Sequence, residues 1–348
     1  MRLRFIDLFC GIGGFRVAAN RVCAARGIEA QCVFSSDIDP DAQTAYEANF
    51  GERPRGDITK ISADEVPNHD LLFGGFPCQA FSICGDRRGF ADIRGTLFFD
   101  IARILDAKRP TAFLLENVKQ LATHDSGVTM RVIHETLCGL GYQAQHKVLN
   151  ALNFGLPQKR ERTFIVGFSD PTAFSRFQWP AGNLPMRSLE EILLPDAEVD
   201  GYYFASERIR SSRIEKFTRE IPDCRTIWHE NKGGHISAYP HSCALRAGAS
   251  YNYLLIDGKR RATEREMLRL QGFPDSYKIA CGYGATRKQT GNSVAVPCVT
   301  AVVRATVEAL ERSERITAIP TRRIVQSKLN LNDLEDAHTK GVHEYANA

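Results

Sequence analysis

Three stretches of the 348-residue chain hold the residue types from which a nucleophile, a proton donor and a pair of cations can be assembled. The first is Leu71-Leu72-Phe73-Gly74-Gly75-Phe76-Pro77-Cys78-Gln79-Ala80-Phe81-Ser82, an apolar run that ends in a glycine pair and a proline. A strand that stops at Gly-Gly and hands Cys78 to a proline-fixed bend exposes a thiol at the carboxyl edge of an α/β sheet. A buried structural cysteine is the competing reading. The second is Glu116, directly after the apolar run Thr111-Ala112-Phe113-Leu114-Leu115. A carboxyl delivered there sits out of water, so its pKa rises and it can hold and donate a proton. The third is Pro157-Gln158-Lys159-Arg160-Glu161-Arg162. Arg160 and Arg162, two apart on an extended chain, point the same way. They could clamp a phosphate or a carbonyl oxygen, or simply form a solvated edge.

The elements around these stretches alternate between strands and helices. Phe5 to Phe9 reads as a buried strand, Cys10-Gly11-Ile12-Gly13-Gly14 as a turn, and Phe15 to about Arg26 as a helix. Glycines in such a turn let backbone N–H groups approach a ligand, although a tight turn without a ligand has the same look. A second strand, Ala30 to Ser35, ends at Ser36-Asp37-Ile38-Asp39. That places Asp37 where a dinucleotide fold holds a ribose diol. In Gly56-Asp57-Ile58-Thr59 the acid suits either an adenine amino group or a helix N-cap. Thr96 to Ala107 has helical apolar spacing, as does 126–140, and strands are expected at 144–150 and 163–168. Loop 82–95 is polar, glycine-punctuated and carries Arg87 and Arg88, so it could close over an anionic substrate or be an ordinary solvated loop.

From about Asp170 the alternation stops. Residues 170–258 are rich in Pro, Gly, Ser and charge, with one expected helix at 205–221 whose apolar stripe would be Ile214, Phe217 and Ile221. Lys232-Gly233-Gly234-His235 and Arg246-Ala247-Gly248 are basic, flexible stretches suited to DNA contact. A helix is expected from Thr263 to Leu270, and an apolar helix from the Gln289–Val294 stretch to about Leu310. The tail from Glu311 onward is charged and weakly periodic, and its sequence offers no functional reading.

Composition narrows the classes. Hydrophobic content of 43% and charged content of 25% are those of a globular protein. The net charge of +4 permits a nucleic-acid partner without requiring one. Ten cysteines without a C-x-x-C pair fit reduced thiols in a cytoplasm rather than a disulfide framework or zinc ribbon. His235, His241 and Cys243 come nearest to a metal cluster, but their spacing matches no standard site, and no metal is expected. No signal peptide and no membrane span is expected.

Taken in order, the motifs resemble those of bacterial C5-cytosine DNA methyltransferases of the restriction-modification type. They are Phe5–Gly14, Gly56-Asp57-Ile58, Gly75–Ser82, Glu116-Asn117-Val118, Gln158–Arg162, Arg265-Glu266 through Gln271-Gly272-Phe273-Pro274-Asp275, and Gly291-Asn292-Ser293. They run from residue 5 to about 300 and omit mainly 170–258, which corresponds to the family's variable target-recognition segment. The resemblance implies an α/β fold: a Rossmann-like S-adenosylmethionine-dependent methyltransferase domain over 1–172, completed by 284–320. A smaller, irregular, mostly β target-recognition domain would cover 173–283, with a tail at 321–348.

The resemblance also implies roles. Cys78 would add to C6 of a flipped-out cytosine and Glu116 would protonate N3. Arg162 would steady the O2 edge, and Arg160 would support Cys78 and a nearby phosphate. S-adenosylmethionine, leaving as S-adenosylhomocysteine, would be held by Phe9, Gly11, Gly13, Asp37, Ile38, Asp57, Ile58, Pro77, Leu97, Asn292 and Ser293. Gln79, Ser82, Cys84 and Arg94 would touch DNA. The partners implied are duplex DNA and a cognate restriction endonuclease, for a monomer in the bacterial cytoplasm. Three positions depart from the family pattern: Asp37 replaces a usual Glu, Cys10 a common Ala, and Ala244-Leu245 a frequent Thr-Leu. A tRNA-methylating relative is the closest rival. A nicotinamide dehydrogenase would leave the Cys78 stretch and Glu116 without a purpose, and the intact Cys78, Glu116 and Arg162 argue against a catalytically dead DNA-binding protein.

Overall fold

The apolar runs fold into a six-stranded sheet in the order β2-β1-β3-β4-β7-β5. Its strands are β1 (Arg2–Leu8), β2 (Glu29–Ser36), β3 (Leu71–Gly75), β4 (Ala112–Val118), β5 (Gln143–Asn150) and β7 (Glu161–Phe168). The first four are parallel, while β7 runs antiparallel to both β4 and β5. A computed structural model describes residues 2–76, 97–231 and 233–311 of the chain. The described residues all belong to one compact unit.

Period-two alternation along the central strands builds two cores. Leu3, Phe5, Leu71, Phe73, Ala112, Leu114, Phe164 and Val166 face α1 (Gly14–Ala25) and the long helix Val296–Glu311. Ile6, Leu8, Leu72, Phe113, Leu115 and Ile165 face the opposite layer, Leu97–Lys108 and Val128–Gly139. Each such side chain, fully buried, contributes about 1.5–3 kcal/mol. In chain order the helices are α1, α2 (Pro40–Phe50), α3 (Leu97–Lys108), α4 (Val128–Gly139), α5 (Pro171–Arg176), α6 (Glu207–Lys216), α7 (Glu264–Gln271), α8 (Tyr283–Asn292) and α9 (Val296–Glu311). The stretch Tyr283–Glu311 is long and apolar enough to cross a membrane by length and composition alone. Its most apolar window is 67% buried inside the fold, where Val299, Val302 and Val303 complete the first core.

Beyond β7 the alternation does stop. A three-stranded antiparallel sheet forms from β8 (Ile227–Glu230), β9 (Ile236–Tyr239) and β11 (Leu254–Ile256), with β8 central. Two-residue strands β6 (Gln158–Lys159) and β10 (Ser242–Cys243) pair in parallel and tie this region to the large sheet. The expected stripe on α6 is not there. The helix ends at Lys216, Ile214 and Ile221 are exposed, and Phe217 packs on Trp228 from beyond the helix end. The residue that α6 buries is Arg213, whose guanidinium bonds Glu230 and the Asn252 carbonyl.

One buried ion pair organises the smaller core. Arg260 is fully buried and meets Glu266 through two parallel bonds, 3.0 and 2.9 Å, while its Nε donates to Asp196 at 2.7 Å. Glu266 also accepts the backbone N–H of Thr263 and of Leu194, closing a capping box at the start of α7. Removing one partner of such a pair strands a charge out of water. Glu266→Ala is therefore expected to lower unfolding free energy by about 3–5 kcal/mol, read from urea denaturation. A loss under about 1 kcal/mol, the value of an exposed pair, would show that the network is not desolvated as described.

Candidate active site

Strands β3 and β4 are parallel neighbours, so both present their carboxyl ends at one edge. Gly75 pairs in register with Glu116, which places the acid beside the strand end that leads to Pro77 and Cys78. Pairing with β7 extends β4 to Val118, so Glu116 lies inside the strand rather than after it, as expected from sequence. Its side chain is buried, and Arg162 sits diagonally across on β7 with Nε 3.1 Å from Glu116 Oε1. That contact is an ion pair without hydrogen-bond alignment, and Oε1 has no hydrogen-bond partner among the described residues. Burial raises the Glu116 pKa above the usual carboxylate value, with Arg162 and then Arg160 opposing it. A buried, cation-flanked carboxyl with a bare oxygen can exchange a proton with a ligand placed beside it.

Arg160 is buried and works differently. Its two amino groups donate to the carbonyls of Leu245 (3.1 Å), Gly291 (3.1 Å) and Ser293 (2.5 Å). Burial, and then the charge of Arg162, pull its pKa down to about 9, still cationic at neutral pH. Among the described residues only Nε lacks a partner, while backbone carbonyls engage both amino groups. The residue pins the Leu245 loop and the end of α8 against the sheet behind Glu116.

Sequence reasoning missed two neighbours. Asn117 donates from Nδ2 to the Phe76 carbonyl at 2.9 Å and accepts from the Val118 N–H, fixing the chain immediately before Pro77. Gln158, fully buried, donates to Leu270 O and accepts from Leu245 N. The Glu116-Asn117-Val118 and Gln158–Arg162 motifs contained both residues, but their partners are remote in sequence. Pro77, Cys78, Gln79, Ser82, Cys84 and Arg94, with loop 82–95 and Lys232, lie outside the described residues.

The glycine turn after β1 is strained in a defined way. Phe9, Gly11 and Gly13 have φ of 56°, 52° and 76°, a region that Gly visits freely and Phe at a cost. Gly13 has no room for a side chain because Phe50 and Tyr46 press on it, whereas the space beside Gly11 is open. Asp37 accepts the Gly11 N–H through Oδ2 (2.7 Å) and the Asp39 N–H through Oδ1 (2.9 Å). Next to it, Ile38 is 73% exposed, an apolar side chain left in solvent at the rim of the turn. Beneath, Asp7 is fully buried and neither carboxylate oxygen has a hydrogen-bond partner among the described residues. Burial pushes its carboxyl well above the usual range, against the pull of Arg16 and with the push of Asp37.

A family model described as C-5 cytosine-specific DNA methylase matches residues 3–308. The chain belongs to that family. It is 53% identical over 296 residues to the Type II methyltransferase M.NgoBI of Neisseria gonorrhoeae, covering 85% of this chain and 90% of that protein. It is 51% identical over 313 residues to the Type II methyltransferase M.HaeII of Haemophilus aegyptius, covering 89% and 94%. Among solved structures, the Dnmt2 methyltransferase of S. pombe superposes with a TM-score of 0.64 over 89% of this chain and 99% of that one. At 23% identity that likeness shows the fold alone.

C5-cytosine methylases use S-adenosylmethionine, and the turn between β1 and α1 fits such a group. The open side of Gly11, the exposed Ile38 and the spare lone pairs of Asp37 offer a backbone approach, an apolar surface and an acceptor for hydroxyls. Asp57 is the N-cap of the turn Ile58–Lys60, with Oδ1 engaged by the Thr59 N–H and hydroxyl and Oδ2 3.7 Å from Lys60 Nζ. Ile58 is buried in the second core. Leu97 opens α3 half-buried and Asn292 closes α8 exposed. Ser293 is buried close to Gly14, a glycine with no room for a Cβ beneath Val294.

Proposed function

We propose that the chain is a DNA (cytosine-5-)-methyltransferase acting on a flipped-out cytosine within a short specific sequence of duplex DNA. The observation that carries this is Glu116, desolvated beside Arg162 and in register with the strand end leading to Cys78. Cytosine C5 is too weak a nucleophile to take a methyl group unaided. In this reading the Cys78 thiolate adds to C6 while Glu116 gives a proton to N3, leaving an enamine whose C5 is nucleophilic. Arg162 holds Glu116 and steadies the O2 edge of the base. S-adenosylmethionine, bound along Phe9, Gly11, Gly13, Asp37, Ile38, Asp57, Ile58, Pro77, Leu97, Asn292 and Ser293, supplies an electrophilic methyl group. Loss of the C5 proton to a base then expels the Cys78 thiolate and restores the aromatic ring. A base cannot be reached inside a duplex, which is why it must be extruded.

Residues 173–283 read the sequence in this proposal, over a catalytic body made of 1–172 and 284–320. Gln79, Ser82, Cys84 and Arg94 contact the strand around the extruded base. The relatives' Type II names support pairing with a restriction endonuclease whose cleavage the modification blocks, and the enzyme is proposed to act as a monomer. The test is transfer of labelled methyl groups from S-adenosylmethionine to mixed-sequence duplex DNA and, in parallel, to total tRNA. The reading predicts label in DNA, recovered as 5-methylcytosine after hydrolysis to nucleosides. Label in tRNA alone, or in another nucleoside, would overturn it.

A further inference from the structure

Asp37, one methylene shorter than a glutamate, sits on the loop between β2 and α2. The structure holds that loop from outside the sheet. Lys288 on α8 pairs with Asp39 at 2.8 Å. Asp39 in turn donates its N–H to Asp37 and caps α2. Along the same segment, Asn49 and Lys278 exchange two hydrogen bonds, 3.0 and 2.7 Å, from the far end of α2. Cys281 Sγ donates to the Asp41 carbonyl at 3.4 Å, and Tyr277 donates to the Ile12 carbonyl at 2.9 Å inside the glycine turn. Four residue pairs therefore tie residues 277–288 to this side of the sheet: Lys288–Asp39 and Tyr277–Ile12 reach the loops that carry Asp37 and Gly11, while Lys278–Asn49 and Cys281–Asp41 hold the two ends of α2. The other end of α8 gives the Gly291 carbonyl to Arg160, behind Glu116.

We propose that the segment Tyr277–Lys288 is a clasp for the cofactor's ribose loop, and that Lys288 is a positioning residue for cofactor binding. This rests on the methyltransferase reading above. Lys288 pairs with Asp39, whose N–H holds the Asp37 carboxylate, and it acts through that contact. Its ammonium also offsets three acids gathered within five residues, Asp37, Asp39 and Asp41. A half-exposed pair of this kind has a modest effect, so the expected changes are several-fold rather than absolute.

The experiment is calorimetric titration of the full-length chain, without DNA, with S-adenosylhomocysteine. Lys288→Arg is expected to bind within two-fold of wild type, Lys288→Gln about three- to five-fold more weakly, and Lys288→Glu about ten-fold or more. The differences shrink at 1 M salt, where exposed pairs are screened. In turnover the half-saturating cofactor concentration rises in the same order, while kcat at saturation stays within about two-fold. Thermal midpoints of the apo variants are expected within about 2 °C of wild type. Unchanged affinity in Lys288→Glu would overturn the proposal. So would an affinity loss matched by a large fall in apo stability, which would mark a purely structural role. A wild-type chain that binds no S-adenosylhomocysteine would instead refute the methyltransferase reading.

Discussion

Glu116→Gln is expected to lower kcat by about 10²–10⁴-fold, the range attributable to a positioned proton donor. Glutamine keeps the shape of the side chain and can still accept from Arg162, so the β4–β7 pairing and the fold are retained. What it cannot do, in the proposed reaction, is give a proton to N3 as Cys78 adds to C6. DNA affinity should move only a few-fold, because the loss falls on the reaction rather than on the ground state. The pH dependence carries a sign. Burial raises the Glu116 pKa, so the protonated form is fully present below the ordinary carboxylate value and is lost as pH rises through the raised one. The wild-type rate should therefore carry a declining limb toward higher pH that the glutamine variant lacks. Stopped single-turnover assays across pH check both points; a glutamine variant within ten-fold of wild type would remove Glu116 from the chemistry.

Cys78→Ser is expected to reduce turnover by at least about 10³-fold, the order seen when a covalent nucleophile is removed, with DNA and S-adenosylhomocysteine affinities preserved. The reason is the thiolate. A cysteine thiol needs only a modest pKa shift to ionise near neutral pH, while a serine hydroxyl stays protonated and is a poor nucleophile toward C6. Gel-shift and calorimetric titrations establish that binding survives, and methyl incorporation measures the loss. Equal turnover by the serine variant would rule out covalent addition by Cys78.

Much of the sheet was legible because its strands are unbroken apolar runs bounded by glycine or acid. The β1–glycine–α1 turn, the Asp37 loop and the Glu116 strand were placed on that basis alone, within two or three residues of their observed ends. Three things were not legible, each for a physical reason. α8 has the sequence Tyr283-Gly284-Ala285-Thr286-Arg287-Lys288-Gln289-Thr290-Gly291-Asn292 and buries Thr286, Gln289 and Thr290, so it shows no apolar period to read. α6 was given an apolar stripe because Ile214, Phe217 and Ile221 are spaced for one. The helix stops at Lys216, and an arginine paired with Glu230 takes the buried position instead. Arg160 resembled a substrate clamp because its acceptors are backbone carbonyls 85, 131 and 133 residues further on, which leave no mark in the local sequence. The burial of Glu116, by contrast, needed only its own apolar strand to be foreseen, although pairing with β7 carries that strand two residues past it. Arg162 was placed beside it by strand pairing, a contact the diagonal geometry of an antiparallel pair makes possible.

The most direct measurement is base-resolution cytosine-methylation sequencing of a plasmid recovered from cells that express this chain, run beside the same plasmid from cells expressing Cys78→Ser. The account predicts complete modification at C5 of one cytosine in one short motif, present with the wild-type chain and absent with the variant. An unmodified plasmid from cells holding soluble wild-type protein, or modification that persists in the Cys78→Ser cells, would contradict it.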